Sequence, residues 1–148
     1  MRHMKTPGSL RAAGFTLLEL LVVLVILALL GSIVGPKVVG YLGSSKTKTA
    51  KLQIQQFGES LELYKLEVGS YPNSQEGLSA LMQAPAGATG WNGPYIKGTA
   101  AAPKDPWGND YHYASPGDHS PDFDISSLGA DNREGGDGEN KDVSNWEE

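Results

Sequence analysis

The side chains best equipped for chemistry lie late in the sequence. Between Ser127 and Val143 five acids, Asp131, Glu134, Asp137, Glu139 and Asp142, are set among four glycines. Calcium takes about six to eight oxygen ligands from carboxylates, amides and backbone carbonyls on a flexible loop. This segment carries all three kinds. It is not an EF-hand, because the D-x-[DN]-x-[DN]-G spacing is absent. Spacing alone leaves calcium binding and simple solvation of an acidic loop equally open. Acid–base catalysis is a poorer use of the same groups. They share one Gly-rich loop, with no scaffold to hold two carboxyls at a fixed separation. No G-x-S-x-G, H-E-x-x-H or phosphate loop is present, so the sequence predicts no enzyme. His112 and His119 are too isolated to define a metal or nucleophile site, and both read as structural or surface residues. Trp91 and Trp107 lie in turns; they read as plugs for a thin core rather than as a sugar platform.

A second carboxylate stands out by its surroundings. Residues 15–35, FTLLELLVVLVILALLGSIVG, carry no charge except Glu19. About twenty apolar residues span a bilayer as a helix with every backbone group paired internally. The basic flank of Arg2, Lys5 and Arg11 predicts a cytoplasmic N-terminus and an exported remainder. An ordinary cleaved signal peptide fits poorly, since the run is too long and ends in no clean small-x-small site. A plain anchor leaves Glu19 unexplained, because a carboxylate in an apolar helix is costly and normally has a partner. Cleavage ahead of the apolar run, which then stays in the mature chain, accounts for both. Gly31 and Gly35 form a small-xxx-small pair. Pro36, Gly40 and Gly43 come next, so a kink or a stretch able to unwind is predicted between Gly31 and Gly43.

Further elements must position the acidic loop. Ala50, Ile54, Phe57, Leu61, Tyr64 and Val68 recur at spacings of four and three, one apolar stripe on a helix. Lys48, Lys51, Gln55, Glu59, Glu62 and Lys65 fall on the other side. One helix should therefore run from the apolar segment to about Val68 and stop at Gly69. Ser74 is a candidate N-cap for a short second helix ending near Ala84. Tyr111-His112-Tyr113 and Phe123 to Ser127 read as strands, with Pro106-Trp107-Gly108-Asn109 as a turn. A small antiparallel sheet on the stripe would bury Tyr111, Tyr113, Phe123 and Ile125. The fold class is α+β. The absence of cysteine among the 148 residues excludes disulfides and thiolate metal sites. Charge is uneven: the first fourteen residues hold three cations and no acid, and their removal takes the formal charge from −5 to −8. Such a surface repels phosphate backbones, so no nucleic-acid partner is predicted.

Gly14-Phe15-Thr16-Leu17-Leu18-Glu19 after a short basic leader resembles the processing signal of type IV pilins and pseudopilins. The resemblance implies that a prepilin peptidase removes residues 1–14 by cutting after Gly14 and that Phe15 is then methylated. It makes Glu19 the assembly carboxylate, paired with the Phe15 amine of a neighbouring subunit. Further along, Gly93-Pro94-Tyr95, Asp105-Pro106-Trp107-Gly108-Asn109, Ser127-Leu128-Gly129-Ala130-Asp131 and Asp142-Val143 through Trp146 look like the major pseudopilins of type II secretion systems. The likeness covers nearly everything after Gly14. It implies a pilin-like fold, with residues 15–35 crossing the inner membrane, 36–69 extending the helix and 70–148 folding in the periplasm. It also implies one calcium ion in the 127–143 loop. The ligands carried over are the Asp131 and Asp142 carboxylates and the Leu128 carbonyl, with the Arg133 carbonyl and Asn140 beside them, while Asp137 and Glu139 are left to solvent. The implied partners are further copies of the chain in a filament, the peptidase, the inner-membrane secretion platform and the minor pseudopilins. The competing reading is a type IV pilin for adhesion or motility. Many of those close a C-terminal loop with a disulfide, which this chain cannot form.

Overall fold

A computed structural model describes residues 14–98 and 102–147. The expected leader, with Arg2, Lys5 and Arg11, lies outside the described residues apart from Gly14. The chain divides into two compact units, residues 1–39 and 40–148. Helix α1, Leu17–Val68, supplies the described part of the first unit and the opening of the second.

In the first unit the apolar side chains of α1 are exposed: Leu21, Leu24, Leu27 and Ile33 each keep more than half of their surface. The helix is long and apolar enough to cross a membrane. Water would make that exposure costly, since each such side chain contributes about 1.5–3 kcal/mol when buried. The helix is unbroken from Leu17 to Val68 with Pro36 inside it. No interruption between Gly31 and Gly43 is present in the single chain, although Pro36 has no N–H to offer the Ser32 carbonyl.

In the second unit the predicted stripe is the core. Ala50, Ile54, Phe57, Leu61 and Tyr64 are buried, and Val68 packs against them half-buried. Lys65 lies in the last turn, where a cation suits the helix dipole. Gly69, at φ +98°, ends the helix and donates its N–H to the Lys65 carbonyl at 2.8 Å. The next short helix is a 3-10 helix, Gly77–Leu81, rather than an α-helix. Gly77 at φ +60° breaks the α-helical path before it can extend. The turn into it is closed by Asn73, not by Ser74. Asn73 Oδ1 accepts the N–H groups of Gln75 and Glu76 at 2.9 Å, and Glu76 Oε2 accepts the Asn73 N–H at 2.9 Å. Ser74 instead ties down Ser115, accepting its N–H at 3.0 Å.

Three antiparallel strands come after it in the order β1 (His112–Ala114), β2 (Asp124–Ser127) and β3 (Val143–Ser144). Tyr113 faces Ile125, and Ser127 faces Val143. The first two strands lie one residue later at their starts than the alternation suggested. The two-residue β3 is too short to leave any periodic signal. Tyr111, Phe123 and Ile125 are buried as expected, whereas Tyr113 is only half-buried and donates its hydroxyl to the Pro72 carbonyl at 2.8 Å. Tyr111 meets Phe57 edge-on at 5.1 Å and donates to Gln53 Oε1 at 2.6 Å. Burial pushes its phenol well above the ordinary range, with the Asp105 charge adding to the effect. Trp91 and Trp107 are half-buried against the same core.

Between β1 and β2 the loop at residues 117–120 folds over the Asp124 carboxylate. Asp124 accepts the N–H groups of Asp118 and His119 at 2.8 Å and of Ser120 at 3.0 Å, and its Oδ2 lies 2.9 Å from His119 Nδ1. Burial alone would raise its pKa, but the bonds from His119, Ser120 and Asp118 together outweigh it and hold the group below the ordinary 3.8. A carboxylate depressed in the folded state stabilises fully above its unfolded pKa. That contribution is lost as pH falls through the folded value. A melting-temperature series from about pH 5 down to about pH 2 should therefore fall more steeply for the wild-type chain than for Asp124→Asn. Equal slopes would show that Asp124 does not carry the acid sensitivity.

Candidate functional sites

The first candidate site is the start of α1. Gly14 and Phe15 precede the helix, and Phe15 is 86% exposed. Thr16 and Glu19 close the first turn between them. The Thr16 N–H and hydroxyl donate to Glu19 Oε2 at 2.9 and 3.2 Å, and the Glu19 N–H donates back to Thr16 Oγ1 at 3.2 Å. This is a reciprocal capping box, which satisfies N–H groups that a helix start leaves unpaired. The Glu19 negative charge also sits at the positive end of the helix dipole. The T-x-x-E spacing ahead of an apolar run was the available sequence signal for this role.

The second candidate site is the loop between β2 and β3. Its first limb leaves β2 through Leu128, Gly129 and Ala130, and its second returns through Glu139, Asn140 and Asp142. The Ala130 N–H donates to the Glu139 carbonyl at 2.9 Å and joins the limbs. Gly129, at φ +66°, leaves room for this approach: a Cβ there would stand 2.7 Å from the Glu139 carbonyl oxygen and 2.9 Å from that of Asn140. Asn140 ends a 3-10 turn, Gly138–Asn140. Asp142, half-buried just before β3, accepts the Gly135 N–H on Oδ2 at 2.9 Å. Its Oδ1 is buried and has no hydrogen-bond partner. A buried carboxylate oxygen left unpaired costs at least about 1–3 kcal/mol, and a cation is one of the few groups that relieves it. Asp131 is exposed, and its Oδ1 accepts the Arg133 N–H at 3.2 Å in a local turn. The limbs thus bring Leu128, Asn140 and Asp142 into one neighbourhood. Asp131 and Arg133 sit at the exit of the first limb, bonded to each other. Among the described residues no three His, Cys, Asp or Glu side chains converge as a metal cluster.

Residues that sequence reasoning left out of the site hold it in place. The buried Asp105 accepts the N–H groups of Trp107 and Asn109 on Oδ1 at 3.0 and 2.8 Å and the Ser127 hydroxyl on Oδ2 at 2.6 Å. Ser127 Oγ in turn accepts the Gly129 N–H at 3.3 Å, and Asn109 Nδ2 donates to the Gly129 carbonyl at 2.9 Å. The Asp-Pro-Trp-Gly-Asn turn therefore organises the first limb. Its Asx-turn composition was legible, but its target was not. Glu139 is also more than a solvated acid. It is half-buried, accepts the Trp107 indole N–H at 3.3 Å, and packs where a Cβ on the buried Gly43 of α1 would otherwise stand. Gly43, read from sequence as a weak point in the helix, is thus the residue that admits Glu139.

Comparison with known proteins supplies the context for both regions. Residues 9–35 match the prokaryotic N-terminal methylation motif, and residues 37–146 match the model for type II secretion system protein G. The type II secretion system core protein G of Pseudomonas aeruginosa is 42% identical over 139 residues, covering 91% of this chain and 95% of that protein. Its counterpart in Vibrio cholerae is 43% identical over 139 residues, covering 92% of each. Among solved structures, the major pseudopilin of the type 2 secretion system of enterohaemorrhagic Escherichia coli superposes with a TM-score of 0.59 at 28% identity, over 73% of this chain and 92% of that one. With the methylation motif leading into the apolar helix, and the protein G region covering most of the chain beyond it, this chain belongs to the type II secretion system protein G family.

Proposed function

We propose that the chain is the major structural subunit of a type II secretion pseudopilus, processed by a prepilin peptidase and polymerised from the inner membrane to drive export of folded periplasmic proteins. One observation carries this reading. A methylation motif spans residues 9–35 and takes in the apolar start of α1, whose side chains are exposed, and residues 37–146 match protein G. Gly14 is the residue before the cut, and Phe15 is the new, methylated terminus. The apolar part of α1 crosses the inner membrane once, and the region from about residue 70 faces the periplasm. The chain catalyses nothing. It acts through contacts with further copies, the secretion platform and the minor pseudopilins.

Glu19 is the assembly residue on this reading. In the single chain its carboxylate is held by Thr16; in a filament the Phe15 amine of a neighbour supplies a cation. An ion pair in apolar surroundings needs both partners, because one left alone is strongly destabilising. The stretch around Pro36, already short of one helix hydrogen bond, is where α1 unwinds when subunits pack.

The β2–β3 loop holds one calcium ion. Asp142 Oδ1 is the feature that favours this, since it is a buried anionic oxygen with no protein donor. The Asp131 carboxylate and the Leu128 carbonyl complete the inner set, with Asn140 and the Arg133 carbonyl as additional oxygens. When bound, the ion neutralises the acids and closes a loop that has no disulfide and little regular structure to hold it.

The test of the whole reading is the distribution of exported proteins between periplasm and medium in a strain lacking the gene. Accumulation in the periplasm, reversed by a plasmid copy, is the expected result; normal export with loss of surface fibres or twitching would make the chain a type IV pilin instead. Glu19→Ala should insert and be cleaved normally while filament yield falls at least about tenfold; unchanged yield would remove the pairing model. At a calcium concentration about a hundred times the dissociation constant, binding should add about 2.7 kcal/mol of stability to the wild-type chain. Asp131→Ala should lose most of that gain, measured as the difference between melting temperatures with calcium and with chelator. A full calcium shift in the variant would place the ion elsewhere.

A further inference from the structure

Beside the core of the second unit lies an open groove of about 590 Å³. Lys48, Lys51, Leu52 and Gln55 of α1 form one wall, and Ser144 and Asn145 form the other. Leu52 keeps 61% of its surface although it lies in a region with a buried core available to it. The groove is thus apolar at its wall and cationic at its rim. From Leu20 to Gly58 the chain holds no acid, and its charges there are Lys37, Lys46, Lys48 and Lys51. The opposite sign is concentrated on the β2–β3 loop. Glu134 and Asp137 are exposed at the tip of that loop, flanked by Gly135, Gly136 and Gly138 at positive φ. The bond from the Gly135 N–H to Asp142 anchors the base of the tip at 2.9 Å, so the two acids are presented outward on a held turn. Among the described residues Lys48, Lys51, Glu134 and Asp137 form no ion pair, while Lys65 and Lys104 do, with Asp122 and Asp110. Each copy therefore carries two complementary charged surfaces that it does not satisfy internally.

We propose that the groove receives the Glu134–Asp137 tip of the loop from a second copy of this chain, with Lys48 and Lys51 pairing to the two carboxylates and the incoming backbone covering Leu52. The spacing agrees. Lys48 and Lys51 are neighbours one turn apart on a helix face, about 5–6 Å between their Cβ atoms. Glu134 and Asp137, also three residues apart, span at most about 10 Å of chain. The Asn145 amide is already committed within its own chain, to Ile125 and Phe123, so the charged pairs and the cover over Leu52 carry the contact. The contact is head-to-tail, using different surfaces on each copy, so it propagates rather than closing as a dimer. This inference rests on the polymer reading above and names the surface by which neighbours recognise each other outside the membrane.

Reciprocal charge exchange in the full-length chain tests it. Lys48→Glu with Lys51→Glu, and separately Glu134→Lys with Asp137→Lys, should each lower filament yield at least about threefold. All four changes together should restore it to within about twofold of wild type. Because the chain has no cysteine, Lys51→Cys with Asp137→Cys supplies the only thiols. A lysine reaching an aspartate separates the backbones further than a disulfide tolerates, so a short bifunctional thiol reagent is used. Assembled filaments should give a ladder of covalent multimers, and either single-cysteine variant should not. Wild-type filaments with no ladder, or a four-fold variant no better than its parents, would overturn the inference while leaving the polymer reading intact. A Lys48→Glu, Lys51→Glu variant that stays in the membrane yet loses filaments, with no rescue by the reversed loop, would assign the lysines to a different contact and overturn it equally. No filaments from the wild-type chain would overturn the polymer reading and this inference with it.

Discussion

The second unit depends on the seating of one helical stripe. Its strands are only three, four and two residues long, and no disulfide supports them. So small a sheet has little stability of its own; it persists because Ile125, Phe123 and Val143 close over Ala50, Ile54, Phe57 and Leu61. Aromatic edge contacts extend the same surface, from Phe57 on Tyr111 to Tyr64 on Tyr95 and Tyr71 on Phe123. Each large residue meets the helix or its neighbour at a defined angle, which fixes position as well as burying area. Gly43 continues the stripe by two more turns, and there the helix gives way to the Glu139 side chain.

From that seat the order of the acidic loop is inherited. Asp105 carries a charge into the interior, which is tolerable only because three donors meet it. One of those donors, Ser127, lies at the end of β2 and passes the constraint to Gly129. Asn109, held by the same carboxylate, grips the Gly129 carbonyl from the other side. The loop therefore leaves the sheet along a fixed path although about half of its residues are glycine or exposed acid. Glu139 pins the returning limb to Trp107. The buried Asp142 Oδ1, still unsatisfied, is where the loop asks for something the chain does not supply; Ser144 Oγ in β3 is likewise buried without a partner.

At the other end of α1 the physical problem is different. A carboxylate within an apolar helix needs a partner once lipid surrounds it. Thr16 meets that need locally, with three bonds inside one turn. On the assembly reading, a subunit exchanges this local arrangement for a pairing between chains. Glu19 is then accommodated at both stages, so assembly never requires a bare charge in hydrocarbon.

Much of this was legible without coordinates, for reasons particular residues make plain. The stripe from Ala50 to Val68, the stop at Gly69 and the apolar run after Phe15 are periodic or compositional signals, and local spacing expresses them directly. The processing motif is likewise contiguous. The short elements were less visible: Gly77 and Asn73 decided the second helix through one backbone angle and one side-chain bond, and β3 exists only because β2 is there to pair with it. The acids of the loop could be enumerated, but not sorted. Asp142 is distinguished from Glu134 by burial, Glu139 from Asp137 by its contacts with Trp107 and Gly43, and Asp105 entered the site from a turn about twenty residues upstream of the loop. Sequence alone determined the long helix, which part of it is apolar enough for a membrane and where processing is signalled, because those properties depend on neighbours along the chain. Only the tertiary structure decided which carboxylates are held, which is left short of a partner and which face outward, because those properties depend on neighbours in space.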